Sequence, residues 1–171
     1  DWARRRIALV QRELGDRWAT ELQRVIDDPR ARQSDRVRAL DLMVFFGPPP
    51  TVEALVTMSR DRNPELRVRV GRLMGTQEDG AFSQPLTAML RDPDPWVRRT
   101  ACEAIAHRAI DQPVDDLVRL LGDSDRFVAF AARKALERTP ADQWQDRVMT
   151  ATTARTFLQG GAGLLAAAPS K

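Results

Sequence analysis

Few side chains in this sequence could serve as nucleophile, base or metal ligand. The 171 residues hold one cysteine, Cys102, and one histidine, His107. A single cysteine excludes an internal disulfide and any multi-cysteine metal site. A lone imidazole lacks the second histidine of a two-histidine metal site, and no Ser or Cys stands with it in a nucleophile–base arrangement. His107 follows the last apolar residue of its predicted helix, so it faces water where the helix dipole favours an imidazolium. Cys102 has Arg98 and Arg99 one helical turn away, and a positive setting is what activates a thiol. No Cys-x-x-Cys or Cys-x-x-Cys-His motif surrounds it, and the reading is an inert side chain. No cofactor is expected. A carboxylate could act as general acid or base, but Asp61, Asp92 and Asp123 recur every 31 residues. A residue that returns once per repeat behaves as a structural position, and with Arg67 and Arg98 these aspartates predict an ion-pair ladder.

The same spacing sets the architecture. Asp61-Arg-Asn-Pro-Glu-Leu-Arg-Val-Arg69, Asp92-Pro-Asp-Pro-Trp-Val-Arg-Arg-Thr100 and Asp123-Ser-Asp-Arg-Phe-Val-Ala-Phe-Ala131 align without gaps. A fixed period in the low thirties means stacked small units, none able to bury its apolar face alone. Each unit resolves into two helices. The first carries Leu55, Val56, Met58 and Ser59; then Leu86, Thr87, Met89 and Leu90; then Leu117, Val118, Leu120 and Leu121. The second carries Leu66, Val70, Leu73 and Met74; then Val97, Ala101, Ala104 and Ile105; then Val128, Ala132, Ala135 and Leu136. Offsets of four, seven and eight place each second-helix set on one face. Asn63, Asp94 and Asp125 fall at N-cap positions, with Pro64 and Pro95 at the first helical position. Gly122 is read as a helix stop.

The period is clearest over residues 35–138. Arg36 to Met43 aligns with Arg67 to Met74, preceded by an out-of-phase helix near Asp16 to Ile26. Residues 2–14 read as the second helix of an earlier unit, giving a repeat array over 1–138. Residues 139–171 read as a divergent terminal repeat or cap, with helices near Ala141–Met149 and Ala154–Leu158. Gly160-Gly161 and Pro169 suggest a loose tail. The fold class expected is all-α: a right-handed solenoid of about four to five antiparallel helix pairs. The opening Asp1-Trp-Ala-Arg-Arg-Arg reads as mid-helix, which predicts a piece of a longer protein.

Apolar residues at 43% with 30% charged fit a folded chain, and no run approaches the ~18 apolar residues that a membrane span needs. Net charge is +3, with Lys134 and Lys171 the only lysines. That arginine skew could serve phosphate recognition, but +3 is weak for a nucleic-acid binder; genome base composition is the plainer account.

With no Tyr and no Thr-Pro-Leu-His, the tetratricopeptide and ankyrin patterns are disfavoured. Leu117–Leu121 with Asp123-Ser-Asp125 and Val128, and Leu86–Leu90 with Asp92-Pro-Asp94, Val97-Arg98 and Ala101, resemble the HEAT family. The likeness is to the short HEAT-like repeats of the phycobilisome-lyase type. That resemblance implies that the loop aspartate and the Val-Arg pair link successive units, with Ala129 breaking the arginine column. Residues Asp123 to Leu136 followed by Trp144 are also similar to HEAT arrays of large planctomycete-type bacterial envelope proteins with dehydrogenase-like and haem domains, which would imply a periplasmic docking arm. Trp96 to Ala101 is similar to a segment of HEAT-like alkylpurine DNA glycosylases, implying DNA binding, but their further Trp and Asp are not found at a matching spacing around Trp144 and Asp146. A lyase role in the manner of bilin lyases would fall to Cys102 and His107, which nothing organises.

A helical wheel of the second helices turns Val68, Arg99 and Phe130 outward. Glu65, Trp96 and Phe127 lie on one side, and Arg72, Glu103 and Lys134 on the other. In stacked helix-pair arrays the second helices line the concave surface. Trp96, Phe127 and Phe130 beside Arg99 and Lys134 have the composition of an interaction hot spot. Trp96 and Phe127 could instead staple neighbouring units. The function expected is a non-catalytic scaffold that binds a protein partner, or another domain of its own chain, through this face. Nucleic-acid binding is the alternative, and membrane insertion is not expected.

Overall fold

The structure, a computed structural model, describes residues 2–108 and 112–167. They form eleven α-helices and no strand among the described residues. The fold is an α-solenoid of several helix-pair repeats. The chain divides into two compact units, Asp1–Leu55 and Val56–Lys171.

The first unit holds α1 (Trp2–Leu14), α2 (Arg17–Asp27) and α3 (Gln33–Phe46). Helices α2 and α3 pack as a pair. Ile26, Val37, Leu40 and Met43 are buried there. The indole N–H of Trp18 donates to the carbonyl of Gly47 at 2.8 Å, and Arg36 Nε donates to the carbonyl of Ile26 at 2.5 Å. Both bonds satisfy carbonyls that a helix end leaves unpaired.

Helix α4 (Val52–Met58) carries the boundary, and the second unit continues with regular pairs. After α5 (Pro64–Gly75) these are α6 (Ser83–Met89) with α7 (Pro95–Arg108), α8 (Val114–Leu120) with α9 (Arg126–Leu136), and α10 (Gln145–Met149) with α11 (Ala154–Ala167). Helices α4, α6 and α8 each have seven residues, which is marginal for an isolated helix. Packing makes up the deficit. Leu55, Leu86, Leu90, Leu117, Leu120 and Leu121 are all essentially removed from water, each worth about 1.5–3 kcal/mol relative to exposure. The longer helices α5, α7 and α9 lie against one another in chain order, and α11 continues the row beside α9.

Local chemistry starts the longer helices where the sequence predicts. Asn63 Oδ1 accepts from the Glu65 N–H, Asp94 Oδ1 from Trp96 at 2.8 Å, and Asp125 Oδ1 from Phe127 at 2.7 Å. Gly122 is different. Helix α8 ends at Leu120, and Gly122 has no left-handed backbone. A Cβ there would meet Thr156 Oγ1 at 2.8 Å, so close approach of α11 demands the glycine.

The C-terminal glycines do not end a helix. Helix α11 runs through Gly160-Gly161 to Ala167, nine residues past the Leu158 expected from sequence. Pro169, also read as part of a loose end, lies outside the described residues. Helix propensity favoured a break, but packing overrides it. Gly160 and Gly163 are buried, and a Cβ on Gly160 would lie 2.4 Å from Val148 Cγ1. The Gly163 position faces the Arg133 stem and the Trp144 ring. Trp144 is fully buried, with its indole N–H donating to the carbonyl of Thr139 at 3.2 Å. The terminal pair thus folds around a tryptophan.

Neighbouring residues of α11 therefore answer opposite ways to alanine. Gly160→Ala forces a branched side chain aside and should cost about 1–3 kcal/mol. Gly161→Ala, with open space at its Cβ, should gain about 0.5–1 kcal/mol from helix propensity. Thermal melts of the two variants check the pair.

Candidate functional site

Two surfaces of the second unit carry the predicted site residues. The first is the loop edge. Arg67, on α5, places Nε and Nη2 each 2.7 Å from the two carboxylate oxygens of Asp92. One repeat on, Arg98 holds Asp123 in the same fork, at 2.9 and 3.0 Å. The remaining guanidinium nitrogen turns back to its own loop: Arg67 Nη1 donates to the carbonyl of Asp61, Arg98 Nη1 to that of Asp92. Each aspartate also accepts the backbone N–H two residues on, at Asn63, Asp94 and Asp125. The planar guanidinium suits this two-point geometry in a way that lysine would not.

Ala129, where the arginine column stops, is buried. Its missing bond to the Asp123 carbonyl is supplied from α11, by Arg155 Nη1 at 2.6 Å. A third fork escaped the sequence reading. Arg91 grips Asp116 at 2.8 and 3.0 Å, and Arg119 adds a bond to the same carboxylate at 3.3 Å. It shares the 25-residue span of the other forks, so the constant offset was its available signal.

Electrostatics follow the forks. The hydrogen bonds from Arg91 hold the Asp116 carboxyl below its ordinary range, against the opposing effect of burial. At Asp123 burial is the largest influence and would raise the carboxyl. The Arg98 fork, the Asp125 N–H and the charges of Arg98 and Arg119 together overcome it and lower the value. Carboxylates held down in this way are built to stay ionised, the opposite of a general acid poised near neutrality.

The second surface is the outward row of α5, α7 and α9. Trp96, Arg99, Glu103 and His107 stand exposed on α7, and Phe127, Phe130, Lys134 and Arg138 stand exposed at the same 31-residue offset on and after α9. Trp96, Phe127 and Phe130 keep 48%, 49% and 51% of their surface in water. Val68 departs from the column. It is buried at 1% exposure, because a wheel gives a direction but not the neighbour that covers an apolar side chain. On α5 it is Glu65 and Arg72 that reach the surface.

Cations dress the aromatic rings. Arg72 lies 5.8 Å from the Trp96 ring centre and Arg99 lies 5.6 Å from that of Phe127, while Arg126 and Arg133 stack on Phe127 and Phe130 at 4.6 and 5.0 Å. Such pairs are worth about 0.5–1 kcal/mol when exposed, and they hold large apolar rings at the surface. Arg99 also bonds Glu103 at 2.6 Å, and Lys134 pairs with Glu137. Between α7 and α9 lies a groove of about 400 Å³, floored by Ala106 and Ala131 and walled by Phe127 and Phe130.

The two residues with reactive side chains are separated. His107 is exposed at the groove, whereas Cys102 is buried with its thiol pushed up to about 12 by burial, then by the charges of Glu103 and Asp123. The arginines that might have activated it are engaged elsewhere, Arg98 with Asp123 and Arg99 with Glu103. Among the described residues no group of three or more His, Cys, Asp or Glu side chains converges as a metal site. No described helix is long and apolar enough to cross a membrane.

Comparison with known proteins places a family model for HEAT repeats on residues 83–148, less than half of the chain, from α6 to α10. That match supports a HEAT-repeat relationship for the span it covers. No curated protein matches the chain.

The fork at Asp92 should be measurable. Asp92→Ala removes two short charge-assisted bonds and strands a guanidinium whose side chain is only 11% exposed. Urea denaturation should show a loss of about 1–3 kcal/mol, and an unchanged midpoint would remove the ladder's role in stability. Cys102 should resist a thiol reagent in the native chain and react at once in denaturant, so its labelling rate should track opening of the fold. Immediate native labelling would contradict the burial.

Proposed function

We propose that this chain is a non-catalytic protein-interaction module that binds its partner through the exposed aromatic row of α7 and α9. HEAT repeats generally mediate protein–protein interaction or scaffolding and are generally non-catalytic. The observation that carries the proposal is the trio of Trp96, Phe127 and Phe130, each about half exposed and each under a guanidinium. Clustered large rings left half in water make the kind of apolar patch that marks interaction sites, and aromatics beside arginine dominate binding energies at protein interfaces. In a stack of this kind the row would line the concave side.

Nucleic acid suits the row less well. Of its central cations, Arg99 is paired with Glu103 and Lys134 with Glu137. A surface that tracks phosphates needs many uncompensated cations, and its affinity falls steeply with salt.

Replacing Trp96 and Phe130 together by Asp should abolish capture of folded-domain partners from a displayed protein-fragment library. The far-UV circular dichroism should stay nearly unchanged, since both side chains already face water. Loss of helical signal would instead show that the rings hold the repeats together. Retained binding by a folded double variant would move the interface elsewhere, and salt-sensitive retention of an oligonucleotide would favour the nucleic-acid reading.

A further inference from the structure

The groove between α7 and α9 differs from its neighbour between α5 and α7 in what its walls can hold. The α5–α7 groove offers about 190 Å³ and is lined by polar side chains, Arg72, Thr76, Thr100, Glu103 and His107, with Gly75 and Ala104 between them and no aromatic ring. The α7–α9 groove offers about 400 Å³ under two phenyl rings, over the methyl groups of Ala106 and Ala131. That space admits a bulky apolar side chain, and the alanines leave it room to enter.

Charge is uneven along this groove. Arg99 is joined to Glu103, while Lys134 and Arg133 share Glu137, so each cation in the middle already has a carboxylate partner. Arg138 lines the same groove as His107, and no described carboxylate forms an ion pair with it. Nη1 of its guanidinium donates to the carbonyl of Ala106 at 3.1 Å, which fixes the group, and the residue remains exposed. A guanidinium anchored through one edge presents the rest of its fork to an incoming anion. Arg138 follows Phe130 by eight positions, about 12 Å at helical rise.

From this arrangement we infer that the α7–α9 groove binds a peptide segment in which a bulky apolar side chain lies between Phe127 and Phe130 and a carboxylate reaches Arg138. This deepens the interaction reading above and rests on it. In an extended ligand the two groups stand about three or four residues apart. A guanidinium with no carboxylate partner among the described residues suits one carboxylate, whether from Asp, Glu or a chain terminus.

The test is selection of a random-sequence displayed peptide library on the whole chain, followed by affinities of the enriched peptides. Enriched sequences should pair Leu, Phe, Met or Trp with an acidic residue or a terminal carboxylate. Phe130→Asp should abolish their binding. Arg138→Gln should weaken it by about tenfold and erase the preference for acid over amide in the same peptide. Arg138→Lys should restore part of that preference, which a merely structural role for Arg138 would not do. Enrichment without acidic bias, or an unaltered preference in Arg138→Gln, overturns the carboxylate clamp. Peptides indifferent to Phe130→Asp, or no enrichment at all, overturn the groove as a peptide site. The double variant of Trp96 and Phe130 tested against folded domains still decides the broader interaction reading independently.

Discussion

Two successive repeats of the second unit each hand an arginine to the aspartate of the next. Arg67 takes Asp92 and Arg98 takes Asp123, and both reach across 25 residues with two bonds apiece. The fork does more than neutralise charge. It leaves Nη1 to close the arginine's own loop, while the aspartate organises the turn that caps the following helix. One guanidinium therefore fixes the spacing between units, the shape of the loop and the start of a helix together. The short helices α4, α6 and α8 could not persist without such fixed neighbours. Where the column lapses at Ala129, Arg155 arrives from α11 to fill the carbonyl left open at Asp123.

This use of arginine bears on the composition. The near-absence of lysine invites an explanation by base composition or phosphate binding, yet many of the arginines are occupied with backbone carbonyls about one repeat away. Arg108 bonds the carbonyls of Met74, Gln77 and Asp79, Arg119 that of Leu90, and Arg138 that of Ala106. Each of these carbonyls lies at or beyond the end of a helix, where intrahelical donors run out. A guanidinium with several donors and a long stem can reach them, and an ammonium has no such fork.

Legibility in the sequence followed repetition. The starts of α5, α7 and α9 could be read because Asn63, Asp94 and Asp125 act on backbone one turn away, and because each copy vouches for the others. The Arg67 and Arg98 forks could be read for the same reason. What happened once was missed: the Arg91–Asp116 fork, the buried Phe82 in a turn ahead of α6, and the continuation of α11 through its glycines. Phe82 and Gly160 are set by what packs on them, and a local pattern carries no record of a neighbour. The outward row was half legible. Its angles came from the helical period, but burial of Val68 and the stacking of Arg126 and Arg133 on the rings depend on tertiary neighbours.

Lysine is so scarce here that its placement matters in practice. The sequence has two, Lys134 and the terminal Lys171, and Lys134 lines the α7–α9 groove. Any amine-directed chemistry, from acetylation to a coupling reagent on a sensor chip, has that groove among its very few targets. A chip surface coupled through Lys134 would hide the groove against its own matrix. A tag placed at the far terminus, with the amines left alone, keeps that face toward solution.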